Sequence, residues 1–340
     1  TDQPLCPPVR NSVWISVSAI DECQLLLALL AEPNRGSINP DTMHTDRICY
    51  NGKIATPEQI GLRQGVLTEA PAIYQLIHIT GQRQVLHLET HLEIASQAYH
   101  ALYPAIFAAS DPATQDCASA SPSVLSPASH TAPFPIPDQR LLQERIERLL
   151  IENRSPATGS CMRLLLHPYG YCSDEKSPCW MLDAMTPLYY SNYTIWHTRP
   201  LLDVMPCEYL FMGYPTTVSQ QIAAYSRTVA AANGCGAAVI ENFDQVLTNV
   251  EDEPLFLVFG HEVYTSPIEC GATDSVMRRL IFEACRRKKI ALHEEPLVRG
   301  MLTRCDEAFT GSVHGLISFD GYGPQRYFNI MVQRLIDAIY

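Results

Sequence analysis

The passage Leu255-Phe256-Leu257-Val258-Phe259-Gly260-His261-Glu262-Val263-Tyr264-Thr265-Ser266-Pro267 decides the fold. Leu255 to Phe259 is a run of strand-forming residues too short for an independent helix. Gly260-His261-Glu262 turns the chain, and Val263-Tyr264-Thr265 returns as a second strand. Pro267 has no N–H to offer a ladder and closes the unit. Toward the C-terminus, Asp274 to Arg287 is predicted helical and Ile290 to Glu294 extended, and Cys305 to Thr310 leads into Gly311. Toward the N-terminus, Ser219 to Asn233 is predicted as a helix stopped by Gly234, with strands at Ala237–Ile240 and Val246–Thr248. Short strands on tight turns, mixed with a few helices, predict an α+β fold rather than a doubly wound sheet.

The first half continues the pattern. Ile48 to Ile54 reads as strand, Asn51-Gly52 turn, strand. Ala72–Thr80 and Gln84–Leu88 are predicted as a second pair across Gly81-Gln82. Leu88 to Tyr103 is a helix with Leu92, Ala95, Ala98, Tyr99 and Leu102 at core spacing. Asp138 or a neighbour starts a helix running to Asn153. Met162–His167 and Trp180–Thr186 are expected as buried strands, and Tyr193–Arg199 as a short one. Asp21 is placed to cap a helix from Glu22 to Leu30. Residues 108–137, rich in Ala, Ser and Pro, cannot bury enough apolar surface to order themselves, and a mobile surface loop is expected there. The expected organisation is an N-terminal extension over 1–46, a small α+β domain over 47–190 and a larger one over 200–340.

Bulk properties exclude several classes. A chain of 340 residues exceeds one ordinary core and suits two modest domains. Its net charge of -12, with Arg286-Arg287-Lys288-Lys289 as the one basic run, argues against a nucleic-acid partner. That run suits a helix C-terminus, where cations meet the negative end of the dipole. No apolar run reaches the length of a membrane span, and the first residues show no secretory signal, so a cytoplasmic protein without a membrane partner is expected. Twelve cysteines are scattered without a Cys-x-x-Cys pair. They are read as reduced and mostly buried, with no zinc site.

The order of segments resembles the class IV aminotransferases and their lyase relatives, the pyridoxal phosphate (PLP) proteins of fold type IV. Tyr50-Asn51-Gly52-Lys53-Ile54 is similar to their opening strand. Val85-Leu86-His87-Leu88-Glu89-Thr90-His91-Leu92-Glu93 resembles the strand-and-helix signature before their phosphate-binding arginine. Asn233-Gly234-Cys235-Gly236-Ala237-Ala238-Val239-Ile240 is similar to the helix-to-strand passage after their lysine. The opening passage looks like their strand, turn, strand, Pro segment. Cys270-Gly271-Ala272-Thr273-Asp274, Phe309-Thr310-Gly311-Ser312-Val313-His314-Gly315 and Gly321-Tyr322-Gly323-Pro324 stand where the family has a helix start, a second phosphate loop and a closing turn. Ser312-x-x-Gly315 looks more like the aminodeoxychorismate lyase branch than the branched-chain branch. The resemblance implies a two-domain fold, a site between the domains and a homodimer.

The chemistry of that family needs a lysine amine to bond the cofactor and carry a proton. The family's spacing, counted back from Gly234, reaches Pro215; anchored on Pro215-Thr216, it reaches Ser219. The chain's four lysines are Lys53, Lys176, Lys288 and Lys289, and none lies between residues 191 and 287. The family's phosphate-binding arginine falls on Ile94, and its glutamate near the pyridine nitrogen falls on Asn249. An apolar side chain cannot replace a guanidinium on a phosphate dianion. These departures predict no cofactor, or pyridoxal phosphate held only noncovalently.

Backbone groups remain for an anion. Gly271, Ala272 and Thr273 open a helix, and Gly311, Ser312 and Val313 make a turn, so both could present free N–H groups. The blander reading makes Thr273 or Asp274 a helix cap and Ser312 a turn residue. Asn249, Arg199 and Arg227 are cleft candidates, the arginines for a carboxylate, unless they form ordinary salt bridges. His87 and His91 have metal-pair spacing, but a strand-to-helix junction separates them, so no metal is expected. Tyr189, Tyr190 and Tyr193 read as packing at the domain junction. Cys235 follows a helix end that would raise its pKa, which argues against a nucleophile. Enzyme and non-enzyme both stay open. The readings are a PLP-independent homologue binding an anionic small molecule, a non-catalytic dimeric scaffold, and an active PLP-dependent aminotransferase or lyase.

Overall fold

The computed structural model describes residues 47–62, 72–103, 136–155, 159–168, 178–188, 190–196 and 198–339. The expectations for residues 1–46 and for nearly all of 108–137 lie outside them.

The described chain is α+β, built on two sheets. The first contains β1 (Ile48–Tyr50), β2 (Lys53–Ala55), β3 (Ile73–Ile79), β4 (Ser160–His167) and β5 (Cys179–Pro187), in the order β2-β1-β5-β4-β3. All its pairings are antiparallel. Asn51 and Gly52 take φ values of 45° and 86°, the left-handed turn that their side chains tolerate. A short α1 (Pro57–Ile60) follows β2. The helices α2 (Leu88–Leu102) and α3 (Gln139–Glu152) cover one face. Ala95, Ala98 and Tyr99 from α2 and Leu142, Ile146 and Leu149 from α3 are fully buried in that core. Asp138 caps α3 by accepting from the N–H groups of Arg140 and Leu141.

The predicted strand Gln84–Leu88 is not formed. Val85 makes a single bridge to Ile79, and Arg83 and His87 take positive φ on either side, so no extended run fits between them.

The second sheet has twelve strands along a path β17-β16-β7-β8-β9-β10-β14-β15-β6, with three strands off it. These strands are β6 (Thr194–Ile195), β7 (Leu201–Pro206), β8 (Ala237–Glu241), β9 (Val246–Val250), β10 (Glu253–Phe259), β11 (Glu262–Thr265), β12 (Leu292–Glu294), β13 (Leu297–Val298), β14 (Glu307–Ser312), β15 (Gly315–Ser318), β16 (Gly321–Tyr322) and β17 (Gln325–Arg326). The opening passage is the hairpin β10–β11, paired from Phe256 with Thr265 to Phe259 with Glu262. β7 runs parallel to β8, with α4 (Thr217–Ala232) as the crossover between them. Three further helices are α5 (Val276–Lys288), α6 (Arg299–Leu302) and α7 (Ile330–Ile336). Phe256 and Phe309 stack at 5.1 Å where α5 and α7 meet the sheet.

The two sheets join along the free edge of β3. Tyr74 N donates to Pro215 O at 3.1 Å, and Thr217 N to Ala72 O at 2.8 Å. Thr217 Oγ1 accepts from Ala72 N at 3.1 Å. Residues 215–217 thus extend the first sheet before the chain enters α4. Arg279 of α5 adds a clasp by pairing with Glu93 at 2.8 Å and Asp274 at 2.8 Å, and it donates to Gln97 at 3.0 Å.

The eight described cysteines are free thiols. Among the described residues no helix is long and apolar enough to cross a membrane.

Candidate functional site

A cavity of about 600 Å³ is lined from both sheets. Tyr74, Gln75 and His91 contribute from β3 and α2. The second sheet's side includes Glu251 and Asp252 between β9 and β10, Glu253 at the start of β10, Ser275 before α5, and Gly311–Val313 at the end of β14.

The three acidic residues have different surroundings. Glu251 pairs with Arg227 at 2.5 Å. Burial raises the Glu251 pKa, and the Arg227 charge opposes that. Asp252 accepts a short hydrogen bond from Tyr74 Oη. Burial, then the charge of Asp252, holds the Tyr74 phenol well above its usual pKa, so it stays a donor. Glu253 is paired with Ser275 Oγ at 2.5 Å. Burial first, then the neighbouring Asp252 charge, pushes the Glu253 carboxyl up to about 8 against the Ser275 hydrogen bond. Ser275 also caps α5 by accepting from Arg278 N at 3.1 Å. Its hydroxyl hydrogen therefore remains available to Glu253.

A second cluster lies on the β3 side. His91 is buried, and its Nδ1 is 2.8 Å from Gln75 Oε1. Burial, then the charge of His87, lowers the His91 pKa to about 3, so the ring is neutral. With a carbonyl oxygen facing it, Nδ1 is the protonated nitrogen. Gln75 is 4% exposed, and its Nε2 has no hydrogen-bond partner. His78 spans from Val313 O at 2.8 Å to Ser191 O at 2.9 Å and packs edge-on against Tyr193.

Several predicted site residues have structural roles. Asn249 is fully buried; it donates to Gly271 O at 2.9 Å and accepts from Thr273 N at 2.8 Å. It clamps the turn before α5 rather than facing the cavity. The N–H groups expected to be free there are used: Gly271 N donates to Ile268 O, Ala272 N to Pro267 O and Asp274 N to Gly213 O. The helix starts later than expected, at Val276 with Ser275 as its cap. Gly311 is pressed against Met277, whose Cγ would lie 2.1 Å from an added Cβ. Ser312 Oγ accepts from His314 N and donates to Gly315 O. Arg199 holds the carbonyls of Phe319, Tyr327 and Phe328, a packing role outside the cavity lining. Arg227 lines the cavity but is matched to Glu251. Of the two positions for the family lysine, Pro215 lines the cavity, whereas Ser219 is buried in the capping box of α4 with Thr216. Tyr190 is exposed and Tyr193 buried, while Tyr189 lies outside the described residues. The Cys235 thiol is raised by burial and by Asp203. Among the described residues no group of three or more His, Cys, Asp or Glu is arranged to hold a metal.

Sequence reasoning missed Glu253 and the Gln75–His91 pair. The Glu251-Asp252-Glu253 run was the one available signal, because three adjacent acids between two apolar strands must share a tight turn.

Comparison with known proteins places this geometry in a class. Residues 128–320 match the family described as Amino-transferase class IV. The chain belongs to the class IV aminotransferase family. Among solved structures, a branched-chain aminotransferase from Thermoproteus uzoniensis with norvaline superposes with a TM-score of 0.66 at 13% identity, covering 86% of this chain and 93% of that one. A putative 4-amino-4-deoxychorismate lyase from Legionella pneumophila gives 0.57 at 14%, covering 91% and 95%. The branched-chain aminotransferase from Thermobaculum terrenum in its PLP form gives 0.64 at 12%, covering 87% and 92%. No curated protein matches the chain in sequence.

These findings correct the expectation that no cofactor is used. The family and a neighbour solved in its PLP form make pyridoxal phosphate the expected cofactor. The described residues do not fit its covalent attachment, since no lysine is among those lining the cavity and Lys176 lies outside the described residues. The hydroxyls of Thr273, Thr310 and Ser312 already donate to Met212 O, Pro254 O and Gly315 O.

Proposed function

We propose that the cavity is the working site of a class IV aminotransferase-like protein that takes a small amine-bearing molecule. Asp252 supplies negative charge for an ammonium group, and Glu253 exchanges protons with the ligand. The observation that carries the reading is the placement of Glu253 in the cavity lining, beside Asp252 and 2.5 Å from Ser275 Oγ, where burial pushes its pKa up to about 8. A group titrating near neutrality can both release and accept a proton there. Amino acids are the first ligands to try, because the neighbours' names concern branched-chain amino acids and norvaline.

The test is calorimetric titration with L-norvaline at pH 6–9, with and without pyridoxal phosphate. Amino-group transfer to 2-oxoglutarate is measured in parallel. Saturable binding with a pH dependence centred near 8 is expected, and Glu253→Gln should flatten that dependence. Absence of binding by the wild type under both conditions overturns the reading.

A further inference from the structure

The Gln75–His91 pair is built like half of a binding contact. Gln75 stands on β3 and His91 on α2, and both line the cavity. Neutral His91 donates from Nδ1 to Gln75 Oε1 at 2.8 Å. In this arrangement the amide oxygen faces the imidazole and the amide nitrogen faces away from it. The amide nitrogen is consequently held with two hydrogens and no acceptor, in a residue that is 4% exposed. An unmet buried donor is destabilising, so the pair is poor as packing alone. Ile94 lies one helical turn beyond His91, fully buried, and offers no hydrogen bond.

We propose that Gln75 is a ligand-contacting residue whose Nε2 donates to an oxygen of an oxyanion on the bound molecule, with His91 as its positioning residue. This deepens the preceding reading and rests on it. An ammonium at the acidic wall and an oxyanion at Gln75 together describe a zwitterionic ligand. The oxyanion is a carboxylate or a phosphate, and both present the same acceptor chemistry to an amide N–H.

The experiment compares probes differing in the oxyanion alone. L-norvaline is set against butan-1-amine for the carboxylate, and pyridoxal phosphate against pyridoxal for the phosphate. Each is titrated calorimetrically into the wild type, Gln75→Leu and Gln75→Glu. The expected result is about a tenfold loss of affinity in Gln75→Leu for whichever oxyanion-bearing probe uses the contact, the usual scale of one hydrogen bond. The matching probe without the oxyanion should be unchanged. Gln75→Glu keeps the acceptor for His91 and should lose at least as much by charge repulsion. Its thermal melt checks the fold independently of the leucine variant. Wild-type binding that both substitutions leave intact, or weaken equally for paired probes, overturns this inference alone. No binding of any probe by the wild type overturns it together with the proposed function.

Discussion

Glu253 and His91 depart from their ordinary pKa values in opposite directions, and each makes stability depend on pH. Glu253 is raised from 4.5 to about 8, so between those values the unfolded chain has released a proton that the folded chain keeps. Its contribution to stability is full below pH 4.5 and is lost as pH rises through 8. After discounting for cavity water, about 1–3 kcal/mol separates the two ends. Thermal melts at pH 5 and pH 8.5 should show Glu253→Gln losing less stability than the wild type over that interval. His91 is lowered from 6.5 to about 3, so the unfolded chain takes up a proton first on acidification. Its contribution is full above pH 6.5 and is lost as pH falls toward 3. His91→Leu should therefore flatten the acid limb of the same melts. Neither residue was legible as functional in the sequence. A carboxylate in an acidic turn and a histidine on a helix are ordinary; their pKa shifts arise first from burial by segments distant in the chain, and only then from the nearby Asp252 and His87.

At the level of elements, the turn before α5 shows what the sequence could and could not reveal. Gly271-Ala272-Thr273 was readable as a helix approach, but its N–H groups are consumed by Pro267 and Ile268 in the preceding turn and by Asn249 of β9. Asn249→Ala removes both bonds of the clamp and leaves Thr273 N and Gly271 O buried without these partners. A loss of about 2–4 kcal/mol is expected in urea denaturation. Arg279 joins α5 to α2 through a part-exposed network. Arg279→Ala should cost roughly 1 kcal/mol, more at low salt than at high salt, measured by the same denaturation. Legibility followed local chemistry. The Asn51-Gly52 hairpin, the Asp138 cap and the β10–β11 hairpin depend on adjacent residues and were all readable. Strand β7 was not, because Leu201–Pro206 sits between Pro200 and Pro206 and has no pattern of its own. Its parallel partner β8 across α4 makes it a strand.

On the scale of the molecule, the order of motifs along the chain identified the family, because order survives when individual residues do not. The cofactor was not legible from the lysine positions alone, because family membership rests on the whole order of segments and not on one side chain. A ligand that fills the cavity and ignores the unfolded chain stabilises the fold by mass action. At a hundredfold excess over its dissociation constant the gain is about 2.7 kcal/mol. L-norvaline at that excess should raise the melting temperature of the wild type by several degrees, and scanning calorimetry reads the shift directly.

The extension of β3 by residues 215–217 has a mechanical consequence. The lobes are stitched together by backbone along that margin, so they cannot hinge apart there without tearing out strand hydrogen bonds. Further along the same strand the lobes are linked by side chains instead, His78 reaching Val313 O and Tyr74 reaching Asp252, with Arg279 bridging to Glu93. The crevice should breathe like a purse with one sewn side, its traffic set by side-chain clasps that can let go and not by the seam.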